Sequence, residues 1–200
     1  MAENQNNRRS AYQKKKSAAH REARRAARET VLTLLFESEY HTEQTPEAIY
    51  LRAAEARGID TSDKYIREEY MGIMENIGAI DTLLGRHAKG WRTDRLSRVS
   101  RAVLRLGAYE MVYAEKIPAP IAINEAVELA KKFDDPKARA FINGVLNAVK
   151  NELEANGGVM STPTEVSEAA TAAVLTEALE ELDADPAVNA ELSDGEAAAE

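Results

Sequence analysis

The spacing of apolar residues in the middle of the chain most constrains the fold. Between residues 66 and 84 they recur every three or four positions over about five turns, at Ile66, Tyr70, Ile73, Ile77, Ile80 and Leu84. No window of the chain alternates apolar and polar residues as a half-buried strand would. No repeat of 20–50 residues is evident either. The pattern therefore predicts an all-α fold.

Capping residues set several helix boundaries. Thr45-Pro46 predicts a helix start and Gly58 its end, while Asp135-Pro136 predicts the start of the last helix. We expect the first helix over about residues 18–39, a third after a Ser62 cap and another from about Thr93. The segment 117–120, with two prolines, should interrupt the helical pattern.

Charge is strongly segregated along the 200 residues, although the net charge is only -8. Residues 1–28 hold nine Lys or Arg and two acids, whereas residues 157–200 hold eleven acids and no Lys or Arg. We assign residues 1–17 to a disordered basic arm, 18–153 to a helical domain and 154–200 to a disordered acidic tail rich in Ala and Glu. The tail could serve solubility, or it could compete with a nucleic acid for the basic end.

Little in the sequence indicates catalysis. There is no cysteine, no phosphate-binding glycine loop and no pair of histidines at metal-ligand spacing. We therefore expect that the protein is not an enzyme and that it binds neither a metal nor a cofactor. The absence of a signal peptide and of any apolar run of membrane-spanning length predicts a cytoplasmic protein that does not enter a membrane.

A run of arginines near the start carries the strongest functional signal. Arg21, Arg24, Arg25 and Arg28 stand at positions i, i+3, i+4 and i+7, so we place them on one helix face. The opposite face would hold Ala23, Ala26, Ala27, Val31 and Leu34. Guanidinium groups suit phosphate oxygens, so the face suits RNA or DNA, although solvated helix faces also carry such residues.

Three further segments carry specific sequence motifs: residues 91–110, 117–133 and 141–146. Together with Arg24–Glu29, their order and spacing resemble the NusB family of transcription antitermination factors over about residues 20–153. The resemblance implies a compact fold of two small helical bundles without catalysis. It also implies binding of the boxA element of ribosomal RNA leader transcripts together with the ribosomal protein NusE. This pair would join other Nus factors in an antitermination complex on RNA polymerase.

The resemblance also implies sites. Arg24, Arg25 and Arg28 match the family's RNA-binding start, and Arg21 joins them by geometry. Further RNA contacts would come from the start of the last helix, at Lys137, Arg139 and Phe141, although Phe141 fits a core position equally well. Lys131 and Lys132 could extend the basic path or simply be solvated.

A partner-binding region is implied at the end of the first helix and near residue 100. It would contain Phe36, Glu37, Tyr40, Ser100 and Arg101. Ala26 replaces an arginine of the family pattern, and Ser100-Arg101 makes the partner surface less acidic than in some relatives. The lysines at 14–16 offer nonspecific phosphate contacts that could compensate for the loss at Ala26.

Three alternatives to an RNA-binding adaptor remain open. Some ribosomal RNA cytosine methyltransferases carry a NusB-like domain, but no cofactor-binding segment follows the helical domain here. A protein-interaction module, including a homodimer, would tolerate loss of the arginines, and the sequence leaves the oligomeric state open. A helix-turn-helix DNA binder would accept duplex DNA as well as single-stranded RNA.

Overall fold

A computed structural model describes residues 2–61, 64–88, 96–114 and 117–157, with the backbone alone for residues 2–12. All regular secondary structure in these ranges is helical, as the spacing of apolar residues predicted. The helices are α1 (Ala2–Ser38), α2 (Pro46–Arg57), α3 (Lys64–Glu75), α4 (Ile77–His87), α5 (Arg98–Val112), α6 (Ala119–Phe133) and α7 (Pro136–Ala155).

The helices form two groups joined through α5. Helices α1, α2 and α3 pack against one another, and α4 to α7 form the second group. Helix α5 contacts α6 and α7 on one side and α1 and α3 on the other. This arrangement confirms the expected two small helical bundles. Within the described ranges, no helix combines the length and the apolar composition that a membrane-spanning segment needs.

The capping signals at Thr45-Pro46, Gly58 and Asp135-Pro136 are confirmed in α2 and α7. The Thr45 side chain accepts a hydrogen bond from the Ala48 N–H, and Gly58 ends α2 with a φ of 64°. The Asp135 carboxylate accepts from the Lys137 N–H at 2.8 Å at the start of α7. Both helices begin with proline, whose missing N–H is no loss in the first turn.

Helix α1 begins much earlier than predicted. It starts at Ala2 rather than near residue 18, so residues 2–17, assigned above to a disordered arm, are helical. Neither proline nor glycine interrupts residues 2–38. Side chains 13–23 are exposed, which explains why no apolar periodicity marks these turns. The domain boundary near residue 18 stays a prediction.

Two other boundaries differ from the sequence prediction. The long apolar stripe belongs to two helices, because α3 and α4 are separated at Asn76, whose amide donates to the Gly72 carbonyl at 2.8 Å. Helix α5 begins at Arg98, capped by Ser97, rather than near Thr93. Residues 89–95, Ser62 and residues 158–200 lie outside the described part.

The core fills the space between the two groups of helices. Tyr70, Ile73 and Ile80 from the apolar stripe are fully buried, as are Val103 and Leu146 on α5 and α7. Each such aliphatic side chain stabilises the fold by about 1.5–3 kcal/mol relative to exposure.

Close packing in the second group depends on Gly107. A Cβ at this position would lie 2.8 Å from Leu146 Cδ1 and 3.3 Å from Ala126 Cβ, both shorter than ordinary contacts. Helix α5 therefore approaches α6 and α7 at a point where only hydrogen fits without repacking.

Gly107→Ala should lower the free energy of unfolding by about 1–3 kcal/mol, because the added methyl group overpacks this contact. Gly78→Ala on α4 is the matched control, since a Cβ at that position would meet no atom within 4 Å. That change should stabilise the protein by about 0.5–1 kcal/mol through helix propensity. Urea denaturation of both variants tests the difference, and equal effects would contradict close packing at Gly107.

Candidate nucleic-acid interface

Arg28 lies inside the protein rather than on an exposed arginine face. Its side chain reaches from α1 to α5, where Nε donates to Glu110 Oε1 at 2.8 Å. Arg28 and Glu110 are 5% and 1% exposed. Nη1 also donates to Glu125 on α6 at 3.4 Å. Burial opposes the positive charge, but Glu110 and its neighbours outweigh burial and raise the pKa of Arg28 above its ordinary value.

Arg24 also turns toward the protein interior. Its guanidinium lies 4.0 Å from the centroid of the Tyr65 ring, a cation–π contact between α1 and α3. Its Nη1 is buried without a hydrogen-bond partner among the described residues. The face that packs on the core contains Arg24, Ala27, Arg28 and Val31, whereas Ala23 and Ala26 are exposed. The arginines predicted to share one solvated face are thus divided.

Arg21 and Arg25 form the exposed edge of this segment. Arg21 is solvent-exposed, and the Arg25 side chain is 46% exposed. The Arg25 Nε donates to both carboxylate oxygens of Glu125 at 3.3 Å, which directs the side chain toward α6. Both side chains can therefore reach a ligand from the solvent.

An open cleft separates α1 from α6 beside this edge, and its far wall carries Lys131 and Lys132. Lys132 Nζ donates to Glu29 Oε1 at 2.6 Å across the cleft. The lining contains four cationic and four carboxylate side chains: Arg25, Arg28, Lys131 and Lys132, with Glu22, Glu29, Glu125 and Glu128. The cleft is therefore balanced in charge, and its positive groups lie mainly at the rim.

The start of α7 carries the remaining predicted RNA contacts. Lys137 is exposed and Arg139 is half-buried, with its Nε 3.4 Å from the Pro136 carbonyl. Phe141 is only 4% exposed and belongs to the core. Of the two interpretations of Phe141, the structure supports the core position, because its ring has no free face for a base.

Four of the five predicted partner-binding residues lie at or beside the end of α1. Phe36 and Tyr40 pack with ring centroids 5.2 Å apart, and Tyr40 remains 52% exposed beneath the Arg98 guanidinium. Arg101 Nε lies 3.3 Å from Glu39 Oε1, which joins the start of α5 to the end of α1. Glu37 forms an ion pair with Arg57 on α2.

Ser100 is buried rather than available to a partner. Its backbone N–H donates to the capping Ser97 hydroxyl at 2.9 Å, and its own hydroxyl donates to Asp134 at the end of α6. Ser100 is 3% exposed. Its N–H completes the Ser97 cap of α5, and its hydroxyl ties α5 to the end of α6.

A buried ionic cluster around Arg28 was not predicted. The Tyr65 hydroxyl donates to Glu110 Oε1 at 2.6 Å, and burial followed by the Glu110 charge raises the pKa of Tyr65. Glu69 on α3 is 6% exposed, with Oε2 unpartnered among the described residues. Burial, then the Glu110 charge, raises the pKa of Glu69 to about 8. The available signal was Glu110 itself, a carboxylate within the apolar stripe of α5.

Two other polar contacts join helices elsewhere, each with at least one buried partner. Arg105 on α5 donates through Nε and Nη2 to the two Asp81 oxygens at 2.8 Å and through Nη1 to Glu39 at 3.0 Å. His87 Nε2 lies 2.5 Å from Glu152 Oε2, between α4 and α7. Among the described residues, no group of three or more His, Cys, Asp or Glu side chains could hold a metal ion.

Comparison with known proteins decides the family. The family model described as the NusB family matches residues 23–151. The chain belongs to the NusB family. The match includes Arg24, Arg25 and Arg28 but leaves out the first turns of α1 and the acidic tail.

Relatives and solved structures agree with this assignment. The transcription antitermination protein NusB of Bacillus pumilus is 42% identical over 66% of this chain and 97% of its own length. The Myxococcus xanthus protein of the same name is 41% identical over 64% and 94%. A T. maritima NusB structure has a TM-score of 0.59 at 33% identity, covering 64% of this chain and 91% of that chain.

One solved structure contains nucleic acid. A chain in a crystal structure of the antitermination factors NusB and NusE in complex with dsRNA matches with a TM-score of 0.58 at 28% identity. The match covers 64% of this chain and 96% of that chain.

The raised pKa of Glu69 predicts a pH-dependent stability. Because the folded protein holds the Glu69 proton up to a pKa of about 8 and the unfolded chain releases it near 4.3, stability should fall as pH rises between these values. The cost is about 1.4 kcal/mol per pH unit. Glu69→Gln keeps a neutral side chain, so the variant should gain stability relative to wild type as pH rises from 5 to 8, measured by urea denaturation.

Glu68→Gln removes the exposed neighbouring carboxylate and is the control. It should leave the pH dependence close to that of wild type. Parallel stability profiles for wild type and Glu69→Gln would contradict a protonated Glu69.

Proposed function

We propose that this protein is a non-catalytic RNA-binding transcription antitermination factor of the cytoplasm. It would bind the boxA element of ribosomal RNA leader transcripts together with NusE. The pair would assemble with other Nus factors on RNA polymerase and support ribosomal RNA synthesis. The observation that carries the proposal is the exposed basic edge of α1, presented by a fold that the chain shares with a NusB structure containing NusE and dsRNA.

The proposed RNA-binding surface contains only some of the arginines that the sequence analysis assigned to RNA binding. Arg21 and Arg25 on α1, Lys131 and Lys132 at the cleft rim, and Lys137 at the start of α7 can reach phosphates. Arg24 and Arg28 act indirectly, since their contacts with Tyr65 and Glu110 hold α1 against the domain. Phosphate contacts of this kind supply affinity and position the RNA, and base-edge or stacking contacts would supply selectivity.

The proposed NusE-binding surface lies at the opposite end of the packed part of α1. Exposed Tyr40, supported by Phe36 and covered on one side by Arg98, has the character of an interface anchor. Arg101 and Glu37 border it with charges already engaged by Glu39 and Arg57. Because the two surfaces lie at different ends of α1, RNA and NusE can bind at the same time.

Arg21→Gln combined with Arg25→Gln should weaken boxA RNA binding while the fold stays intact, because both side chains are exposed at the proposed surface. Since the double variant removes two phosphate contacts, the slope of log affinity against log salt should fall in magnitude by about 1.4 for single-stranded RNA. Fluorescence anisotropy across a salt series, with boxA RNA and a scrambled RNA of equal length, measures both quantities.

Lys64→Gln with Arg67→Gln is the matched control, since it removes two exposed cations from α3. This control should bind RNA like wild type. Wild type should prefer boxA over scrambled RNA, and NusE should strengthen that preference. Equal binding to both RNAs, or equal losses in the two double variants, would favour a protein-interaction module with a merely solvated basic surface.

A further inference from the structure

Residues 13–23 of α1 form a strongly basic segment that is exposed throughout. From residue 13 to residue 23 every side chain is exposed, over about 16 Å of helix. This stretch carries Lys14, Lys15, Lys16 and Arg21, with Glu22 as its one carboxylate. Helix α1 begins to pack on the rest of the protein only at Arg24 and Ala27. The family model begins at residue 23, so the family match does not account for these turns.

The register of α1 places one of these lysines in line with the exposed arginines. At 100° per residue, Arg21 and Arg25 lie about 20° on either side of Lys14, in a stripe about 16 Å long. Between these charges the same face carries only the small side chains of Ser17 and Ala18. Lys16 is also exposed but lies about 200° away from Lys14, on the opposite side of the helix.

The cleft beside this stripe has no net charge, so the stripe is the main source of positive charge on this side of the protein. The cationic side chains that line the cleft are matched in number by carboxylates. Net positive charge along α1 therefore comes from the turns before Glu22. Neighbouring like charges destabilise an isolated helix by a few tenths of a kcal/mol per pair, and a bound polyanion would relieve that repulsion.

We propose that Lys14, Arg21 and Arg25 form one continuous RNA-backbone contact, so that the first turns of α1 extend the RNA-binding surface beyond the family domain. This inference rests on the RNA binding proposed above. Lys14 contacts a phosphate from a fixed position on a helix, rather than as a loosely placed charge. Among the described residues no carboxylate forms an ion pair with Lys14 that RNA would have to displace.

The test compares Lys14→Gln with Lys16→Gln in the full chain. The two variants remove the same charge from exposed positions on opposite sides of one helix. Lys14→Gln should weaken boxA RNA binding by about 3- to 4-fold at about 0.15 M salt and reduce the salt slope by about 0.7, as removal of one phosphate contact requires. Lys16→Gln should leave both quantities unchanged, and neither variant should alter Tm.

Equal losses in the two variants would overturn the inference, because they would show a diffuse charge effect without a helical register. No loss in either variant would overturn it as well. A loss on phosphatidylserine vesicles without a loss on RNA would assign the stripe to a membrane surface instead. The wild-type protein is measured alongside the variants in each case. If it prefers boxA to scrambled RNA, the proposed function stands even when the inference about Lys14 fails. If it binds both RNAs equally, the proposed function itself is contradicted.

Discussion

The buried ion pair between Arg28 and Glu110 holds the two groups of helices in one arrangement. It joins α1 to α5, while Tyr65 of α3 donates to the same carboxylate and Glu125 of α6 approaches the same guanidinium. Removal of one partner would leave the other charge buried, which costs about 3–5 kcal/mol in comparable sites. The pair therefore sets how α1 is rotated against the domain.

That rotation determines which basic side chains can meet a ligand. With Arg28 and Arg24 turned inward, Arg21 and Arg25 stand at the outer edge, beside the lysines at the end of α6. The same orientation leaves Tyr40 exposed near the other end of the helix. Helix α1 thus presents Arg21 and Arg25 toward one end and the aromatic Tyr40 just beyond the other end. The Arg28–Glu110 pair stabilises the orientation of α1 that exposes both.

Much of the fold is predictable from the sequence, and the sites are predictable only in part. Thr45-Pro46, Gly58 and Asp135-Pro136 act locally, so their capping roles follow from neighbouring residues. Which face of α1 packs on the core depends on helices that are distant in the sequence. Small side chains such as Ala23 and Ala26 fit either face, so the sequence does not identify the packed one. Helical spacing alone predicts that the Arg28 guanidinium lies in solvent. It cannot reveal that Glu110, 82 residues away in the sequence, pairs with this guanidinium inside the protein. The break at Asn76 is invisible in the sequence because the apolar spacing continues through it.

Arginine Nε–Hε NMR signals, followed while boxA RNA is added, test most directly the division of the arginines into buried and RNA-facing groups. The structure predicts that the Arg21 and Arg25 signals shift or broaden. It also predicts that the Arg28 signal stays in place and exchanges slowly with solvent, because Glu110 already holds that hydrogen. Movement of the Arg28 signal while those of Arg21 and Arg25 remain unchanged would contradict the account.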